Sequence, residues 1–381
     1  MLRGIIADFR AAGHSVTTIL DPQLAAFNPP LEADTVLSAS SSEATIAATR
    51  NVADSVDATY VIAPESNRTL ESIVKNLEGE GVRTMNSSAS AIVKVANKGN
   101  LYEHLRNLGL STPDSLEFGT HDDIDEIARL VKGKIGFPAV FKPASDTGCG
   151  GLSIVKTEYE AAEAVTKIAH ESSSKRFLAQ ELVGGVPASV SLLSTSHKAV
   201  PLSLNGQKIS LTTPEAVSSY NGGIVPLESP IRDEALAAAR LAVEHFQGLR
   251  GYVGVDLMLT DDGPVIIEIN PRLTTSYVGL RELAKLNPAQ AMIDAVFEQK
   301  LPTADLNAGC AYFSKIKTTK PSSGALTEIF KMKEVIAPPF PISSCDYSWA
   351  LVCSNGATPQ EAKLKLGKIE KRLIQTCLFG S

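Results

Sequence analysis

The chain has 381 residues, 44% hydrophobic and 20% charged, which allows two or three structural units built around more than one core. With 36 basic against 42 acidic residues the net charge is −6, and no long basic run is present, so electrostatic capture of nucleic acid or of an anionic membrane is disfavoured. The five cysteines are odd in number and form no Cys-x-x-Cys pair, which argues against a disulfide framework or zinc ribbon and for a reducing cytoplasm. No stretch has the apolar length of a membrane helix, and no basic-then-apolar export signal opens the chain. Small-molecule chemistry is favoured.

Taken in order, residues 1–90 alternate helix and strand signals: helix from Leu2 to Ala12, strand Ser15 to Leu20, helix Glu43 to Val56, strand Ala58 to Ala63 and helix Thr69 to Glu80. This is an open α/β layer. Such layers usually open with a strand, so a first strand is expected to be missing or encoded upstream. Residues 91–182 form the next unit. One helical pattern runs from Ser88 to Gly109 and carries Lys94, Lys98 and Arg106. Ser111-Thr-Pro113 breaks it, and a small α+β lobe of strands and helices follows to Leu182. Residues 183–300 read as a larger sheet from Ala188 to Ile269, with helix Asp233 to Phe246 inserted and helix Pro288 to Glu298 closing it. Residues 301–381 add strands at Cys310 to Ile316 and Ser348 to Cys353, with a Pro-rich crossing at 337–341 between them. A helix from Thr358 to Ile374, capped by Thr358-Pro359, follows.

The chemistry concentrates in two places. Gly251-Tyr-Val-Gly-Val-Asp256-Leu-Met-Leu is followed, across the tight turn Thr260-Asp-Asp-Gly263, by Glu268-Ile-Asn270-Pro-Arg272. Alternation puts Glu268 and Asn270 on one face and brings Asp256 beside them from the neighbouring strand. An all-oxygen cluster among Val255, Val265, Ile266, Ile267 and Ile269 is costly unless paired or metal-bound, and it suits a hard divalent ion that keeps waters and phosphates as its other ligands. Arg272 adds a permanent cation.

The second place is Phe141-Lys142-Pro143-Ala-Ser-Asp-Thr-Gly148-Cys-Gly150-Gly151, a strand end followed by a glycine loop whose amides can approach phosphate oxygens, with Lys142 as a point charge. It is neither the Rossmann fingerprint nor the P-loop. Gln180-Glu181-Leu182-Val183 ends an apolar strand and reads as an interlobe hinge whose backbone can meet an adenine edge.

In this order and spacing Lys98, Phe141-Lys142-Pro143, the glycine loop, Gln180-Glu181-x-Val183, Asp256 and Glu268-x-Asn270-Pro-Arg272 resemble the ATP-grasp ligase superfamily, over roughly residues 15–300. The resemblance implies a Rossmann-like pre-ATP-grasp α/β domain, a small α+β lid lobe and a larger sheet lobe, with the nucleotide between the lobes. It also implies that Lys98 and Lys142 touch ATP phosphates under the Gly148, Gly150 and Gly151 lid, that Gln180, Glu181, Leu182 and Val183 take the adenine, and that Asp256, Glu268 and Asn270 hold one or two Mg²⁺ or Mn²⁺ ions. Arg272 would neutralise an acyl phosphate.

Within the superfamily the chain looks most like the tyramine-glutamate ligase family of methanofuran biosynthesis. The residues that carry this are Ala63-Pro-Glu65-Ser, Asn86-Ser87-Ser88, Val190-Ser191-Leu192, Pro201-Leu-Ser-Leu-Asn205-x-Gln207 and Glu268-Ile-Asn-Pro-Arg-Leu-Thr-Thr275. That likeness implies an amide between the γ-carboxyl of glutamate and tyramine, or tyrosine in related bacterial ligases. The protein's partners would then be these small molecules, with a homodimer as the one assembly left open. Similar proteins carry a ribose-holding glutamate where this chain has Val186, so Ser189 is the expected substitute. Two other classes stand beside this reading: a non-catalytic nucleotide-binding module, to which Val186 gives support, and an NAD-dependent oxidoreductase, which lacks its Gly-x-Gly-x-x-Gly loop.

Overall fold

The computed structural model describes residues 1–145 and 148–380. Its strands, in chain order, are β1 Thr17–Leu20, β2 Thr35–Ser38, β3 Ser115–Gly119, β4 Ala139–Pro143, β5 Ser153–Val155, β6 Arg176–Glu181, β7 Val186–Thr195, β8 Ala199–Ser210, β9 Ser219–Val225, β10 Arg250–Thr260, β11 Gly263–Asn270, β12 Cys310–Thr319, β13 Val335–Ala337 and β14 Tyr347–Gly356. They form three sheets: a parallel β1-β2 pair, a four-stranded β3-β6-β4-β5 sheet and an eight-stranded sheet in the order β11-β10-β7-β8-β9-β12-β14-β13.

In the four-stranded sheet alternation separates two tasks. Phe141 points to the core beneath helices Ile124–Lys134 and Ala161–Glu171, where it meets Phe177 with ring centroids 5.4 Å apart, alongside Ile127, Val131 and Ile168. Its neighbour Lys142 therefore projects from the opposite face, the one turned to the large sheet. The large sheet is likewise divided. One face is covered by helix Arg232–Glu244, whose Ala235, Ala239 and Ala242 let it lie close against Val190, Leu204, Val253, Val255 and Ile266. Helices Tyr277–Leu283 and Pro288–Phe297 cover only one end of the other face, over Leu193, Tyr252 and Phe313. The remainder of that face carries Asp256. Strands β12 to β14 continue the same sheet, with helix Pro359–Phe379 packed on Ile316 and Val352 through Leu366 and Leu373.

Two local expectations fail, and one strand appears that was not expected. Residues 58–63 are not a strand: they make one isolated bridge, Thr59 with Thr84. The amide of Asn86 takes over the backbone pairing there, accepting from Val61 N–H and donating to Val61 C=O, both at 2.8 Å, so no ladder is needed to satisfy the chain. The strand that does partner β1 is β2, four residues after the Asn28-Pro-Pro stretch and too short to show alternation. The single helix expected over 88–109 is two, Ala89–Ala96 and Lys98–Asn107. Asn97 leaves the helical region (φ −82°, ψ 96°) and its side chain caps the second helix by accepting from Asn100 N–H at 3.0 Å.

The N-terminal helix Leu2–Ala11 is tied to the large lobe by one carboxylate. Asp8 accepts from the Tyr277 hydroxyl at 2.5 Å and from Arg281 at 2.7 and 3.0 Å, and its backbone carbonyl accepts from Asn287 at 2.7 Å. Its neighbour Ile5 enters the same core. Removing Asp8 strands a largely buried guanidinium and a buried phenol. Asp8→Ala is expected to cost about 3 kcal/mol, read as a lower urea midpoint at unchanged slope. Asp8→Ala/Arg281→Met should recover part of the loss; an unshifted midpoint in the single variant would contradict the assignment.

Candidate active site

The β10-β11 hairpin delivers two carboxylates to one spot. Its register pairs Asp256 directly with Glu268 and Gly254 with Asn270, and a bulge follows Asp256. The turn is held by Thr260 Oγ1 donating to Gly263 O at 2.8 Å, with Gly263 at φ +116°. Asp256 accepts from Gln207 Nε2 at 2.8 Å and from Asn270 Nδ2 at 3.0 Å. Burial, and then the charge of Glu268, still push its carboxyl up to about 7. Two like-charged groups inside an apolar wall are the arrangement that a divalent cation relieves. Among the described residues no group of three or more histidine, cysteine or acidic side chains converges. Two carboxylates and the Asn270 amide therefore fit an ion that draws its remaining ligands from water and phosphate.

Cations close in from the other units. Lys98, the first residue of its helix and buried, lies 3.5 Å from Glu268 Oε1. Lys142, also buried, donates to Gln180 Oε1 at 2.8 Å and to the Tyr102 hydroxyl at 3.1 Å. Burial lowers its ammonium to about 8, while the charges of Glu268 and Asp256 act to raise it. Tyr102 in turn donates to Ile267 O at 2.8 Å, so one hydroxyl joins the Lys98 helix, the small lobe and the hairpin.

The remaining predicted residues are placed as follows. Gln180 points its side chain at Lys142 and Ser115. Glu181 ends β6, exposed, with its backbone and carboxylate both tied to Asp114; Leu182 and Val183 continue half-buried. Ser189 is buried directly opposite Asp256 and accepts from Asn205, while Val186 stands exposed at the strand start. Gly148 and Gly151 adopt the left-handed conformations expected of a glycine loop, φ +77° and +69°, but Gly150 does not. The Gly151 N–H is already committed to Glu171 Oε2 at 2.8 Å, so it is not one of the amides open to a phosphate. Asp146 and Thr147 of that loop lie outside the described residues.

Arg272 is held from across the molecule. Glu65 of the N-terminal unit accepts from its Nε at 2.7 Å, and Asn270 Oδ1 accepts from its Nη2 at 3.3 Å. Burial raises the Glu65 carboxyl against the opposing effect of Arg272. Beside this pair a cavity of about 320 Å³ opens, lined by Glu65, Arg68, Lys98, Ser145 and Lys175 among others. Arg68 on its wall and its neighbour Asn67 both have left-handed backbones, φ 58° and 55°, a strained pair of the kind concentrated at functional sites.

Sequence reasoning missed three participants. Tyr102 lies four residues after Lys98 on the same helix face, and Gln207 lies two after Asn205 on the same strand face, so both had a periodicity signal. Glu65 had no periodicity signal, because its partner is 207 residues away, and it stood out only within the Ala63-Pro-Glu65-Ser stretch of the family likeness.

Residues 95–276 match the ATP-grasp domain family, and residues 14–92 match the pre ATP-grasp 3 domain. The chain thus carries a pre ATP-grasp domain followed by an ATP-grasp domain. Tyramine–L-glutamate ligase of Methanocaldococcus jannaschii is 30% identical over 238 residues, 62% of this chain and 61% of that one. The enzyme of the same name from Methanocaldococcus fervens is 32% identical over 60% of this chain and 62% of its own. The chain thus spans about three fifths of the length of these ATP-grasp relatives. Among solved structures, the biotin carboxylase domain of 2-oxoglutarate carboxylase from Hydrogenobacter thermophilus, in complex with MgADP, ADP and bicarbonate, superposes with a TM-score of 0.73 over 96% of this chain and 86% of that one, at 13% identity. The ATP-grasp fold expected from the ordered motifs is the one observed.

The strain at Asp256 gives a direct test. Asp256→Asn is expected to stabilise the metal-free protein by about 1–2 kcal/mol, since it removes a buried like charge. It should also abolish the rise in melting temperature that Mg²⁺ or Mn²⁺ gives the unsubstituted protein. A variant that melts lower in chelator, or still gains from the ion, would contradict the site.

Proposed function

We propose that the chain is an ATP-dependent carbon-nitrogen ligase that joins a carboxylate to an amine through an acyl phosphate. The observation that carries this is the half-buried Asp256-Glu268 pair, facing Lys98 and Lys142 across the lobes and Arg272 on its flank. The finer reading, the γ-carboxyl of glutamate joined to tyramine or tyrosine, is supported by the two relatives named tyramine–L-glutamate ligase. MgADP in the superposable carboxylase domain supports ATP with Mg²⁺ as the energy source.

A carboxylate cannot acylate an amine in water because oxide is too poor a leaving group. In the proposed reaction a substrate carboxylate oxygen attacks the γ-phosphorus in line, the bond to the β-phosphate oxygen breaks, and ADP departs. The amine nitrogen then attacks the acyl carbon, phosphate leaves, and the amine proton passes to that phosphate or to solvent. A Mg²⁺ or Mn²⁺ ion held by Asp256, Glu268 and the Asn270 amide oxygen would neutralise charge on the transferring phosphoryl group. Binding it requires the Asn270 amide to turn its oxygen inward, which costs the present bond to Asp256.

Lys142 supplies a positive charge pre-aimed by Gln180 and Tyr102, and Lys98 supplies another at the N-terminus of its helix. Arg272, oriented by Glu65, is positioned to take the oxyanion of the tetrahedral intermediate. The cavity beside it offers room for the second substrate.

Two measurements test this reading. Glu268→Gln should lower ADP release with glutamate and amine by about 100-fold or more, because charge neutralisation at the phosphoryl group is lost; unchanged release would remove the assignment. Nucleotide affinity should also depend on pH through Lys142. The protonated ammonium binds phosphate, so ADP affinity should hold below about pH 8 and weaken as pH rises past it, by up to about tenfold per unit. Lys142→Arg should flatten the profile in calorimetric titrations, whereas a flat unsubstituted profile would exclude Lys142 from the phosphate site.

A further inference from the structure

The face of the large sheet that bears Asp256 does not end at the nucleotide-binding match. Residues paired in register share a face, and that face runs from Asp256 through Ser189 and Asn205 to Gln207, then through Gly223 to Phe313 on β12. Two and four residues further along β12 come Lys315 and Lys317, beside Leu351 and Trp349 of β14, with Tyr347 next. There the surface changes character. Lys315 Nζ sits 4.2 Å from the centroid of the Trp349 ring, and Lys317 Nζ sits 3.8 Å from that of Tyr347. The two rings meet edge to face at 6.0 Å.

Lysines on a sheet surface usually wander or pair with acids. Among the described residues neither of these ammonium groups has a carboxylate partner, and each is held over an aromatic face, which orients the charge without neutralising it. An anion that docks on Lys315 therefore meets a cation already in place.

The charges at both ends of this face reach Cys149 of the glycine loop. The Cys149 thiol is raised by burial, then lowered by the charge of Lys315 and raised by those of Glu268 and Asp256, so the loop lies within the field of both clusters. Tyr220 fills the sheet between them; beyond burial, the charges of Asp256 and Cys149 act on its phenol. One end of this strip suits a phosphoryl group and the other a carboxylate. The ATP-grasp domain match ends at residue 276, so the Lys315 end of the sheet lies beyond it.

We propose that Lys315, held over Trp349, anchors a second, non-reacting carboxylate of the acid substrate. The platform thereby selects dicarboxylic substrates and fixes which of the two carboxyl groups is presented to the γ-phosphate. This assignment rests on the ligase reading and names its acid as a dicarboxylate. Lys317 over Tyr347 extends the positive surface along the strand.

Trp349 is the only tryptophan in the chain, so its emission reports on the platform independently of turnover. With MgADP present, L-glutamate and glutarate should change Trp349 emission saturably, and 4-aminobutyrate, which has a single carboxylate, should bind about tenfold more weakly or worse. Lys315→Met keeps the stem over the ring and removes the charge. It should weaken glutamate by at least about tenfold and bring the kcat/KM ratio of glutamate to 4-aminobutyrate towards unity, with calorimetric ADP affinity unchanged as the check on folding. Lys315→Arg should keep most of the selectivity.

The proposal is overturned if 4-aminobutyrate binds as well as glutamate, if saturable glutamate binding leaves Trp349 emission unmoved, or if Lys315→Met leaves the glutamate KM as it was. Absence of ADP release with every acid and amine would instead sink the ligase reading, and the fluorescence titration would still decide whether Lys315 holds a dicarboxylate.

Discussion

Two carboxylates that repel each other inside an apolar wall are the constraint around which this molecule is organised. Asp256 and Glu268 face across one hairpin, and burial together with their mutual repulsion holds a proton on Asp256 to near neutrality. Everything that approaches them is a donor or a cation: Gln207 and Asn270 from the same sheet, Lys98 from a helix start, Lys142 from the small lobe. The arrangement is poorly satisfied as it stands and better satisfied with a divalent ion and phosphates between the lobes. A fold optimised for stability alone would place apolar residues there.

That poise depends on side chains that belong to two units at once. Tyr102 bonds both the hairpin carbonyl of Ile267 and the Lys142 ammonium, so the distance between small lobe and sheet is set by a rigid phenol. Glu65 orients Arg272 from the N-terminal unit. Asp8 fixes the N-terminal helix to the helix that follows Arg272, through Tyr277 and Arg281. Tyr277 in turn stacks edge-on with Tyr252, 5.8 Å away, on the strand that carries Asp256. The N-terminal unit is thus mechanically part of the site.

What is legible in the sequence and what is not have different physical origins. The hairpin, its turn and the face shared by Glu268 and Asn270 were legible because alternation and turn chemistry act over a few residues. The glycine loop was legible as a loop but not in detail, since sequence does not reveal that Glu171 occupies the Gly151 amide. Residues 58–63 looked like a strand because apolar, β-branched composition marks extended chain, yet they form only the isolated Thr59–Thr84 bridge. That the side chain of Asn86 replaces the neighbouring strand is a tertiary event. The break at Asn97 was masked by the apolar periodicity on both sides of it, although an asparagine before Lys98 is an ordinary cap.

By itself, then, the order of residues determined most of the elements, the ATP-grasp class and the list of oxygen and ammonium groups available for chemistry, because local periodicity and short motifs carry that information. Tertiary structure alone decided which of these groups meet: that Glu65 finds Arg272, that Gln180 turns to Lys142, that Ser189 lies opposite Asp256, and that Lys315 and Trp349 share its face. The reason is distance along the chain. Such pairs are tens to hundreds of residues apart, and only sheet register and packing of one unit on another convert that separation into contact.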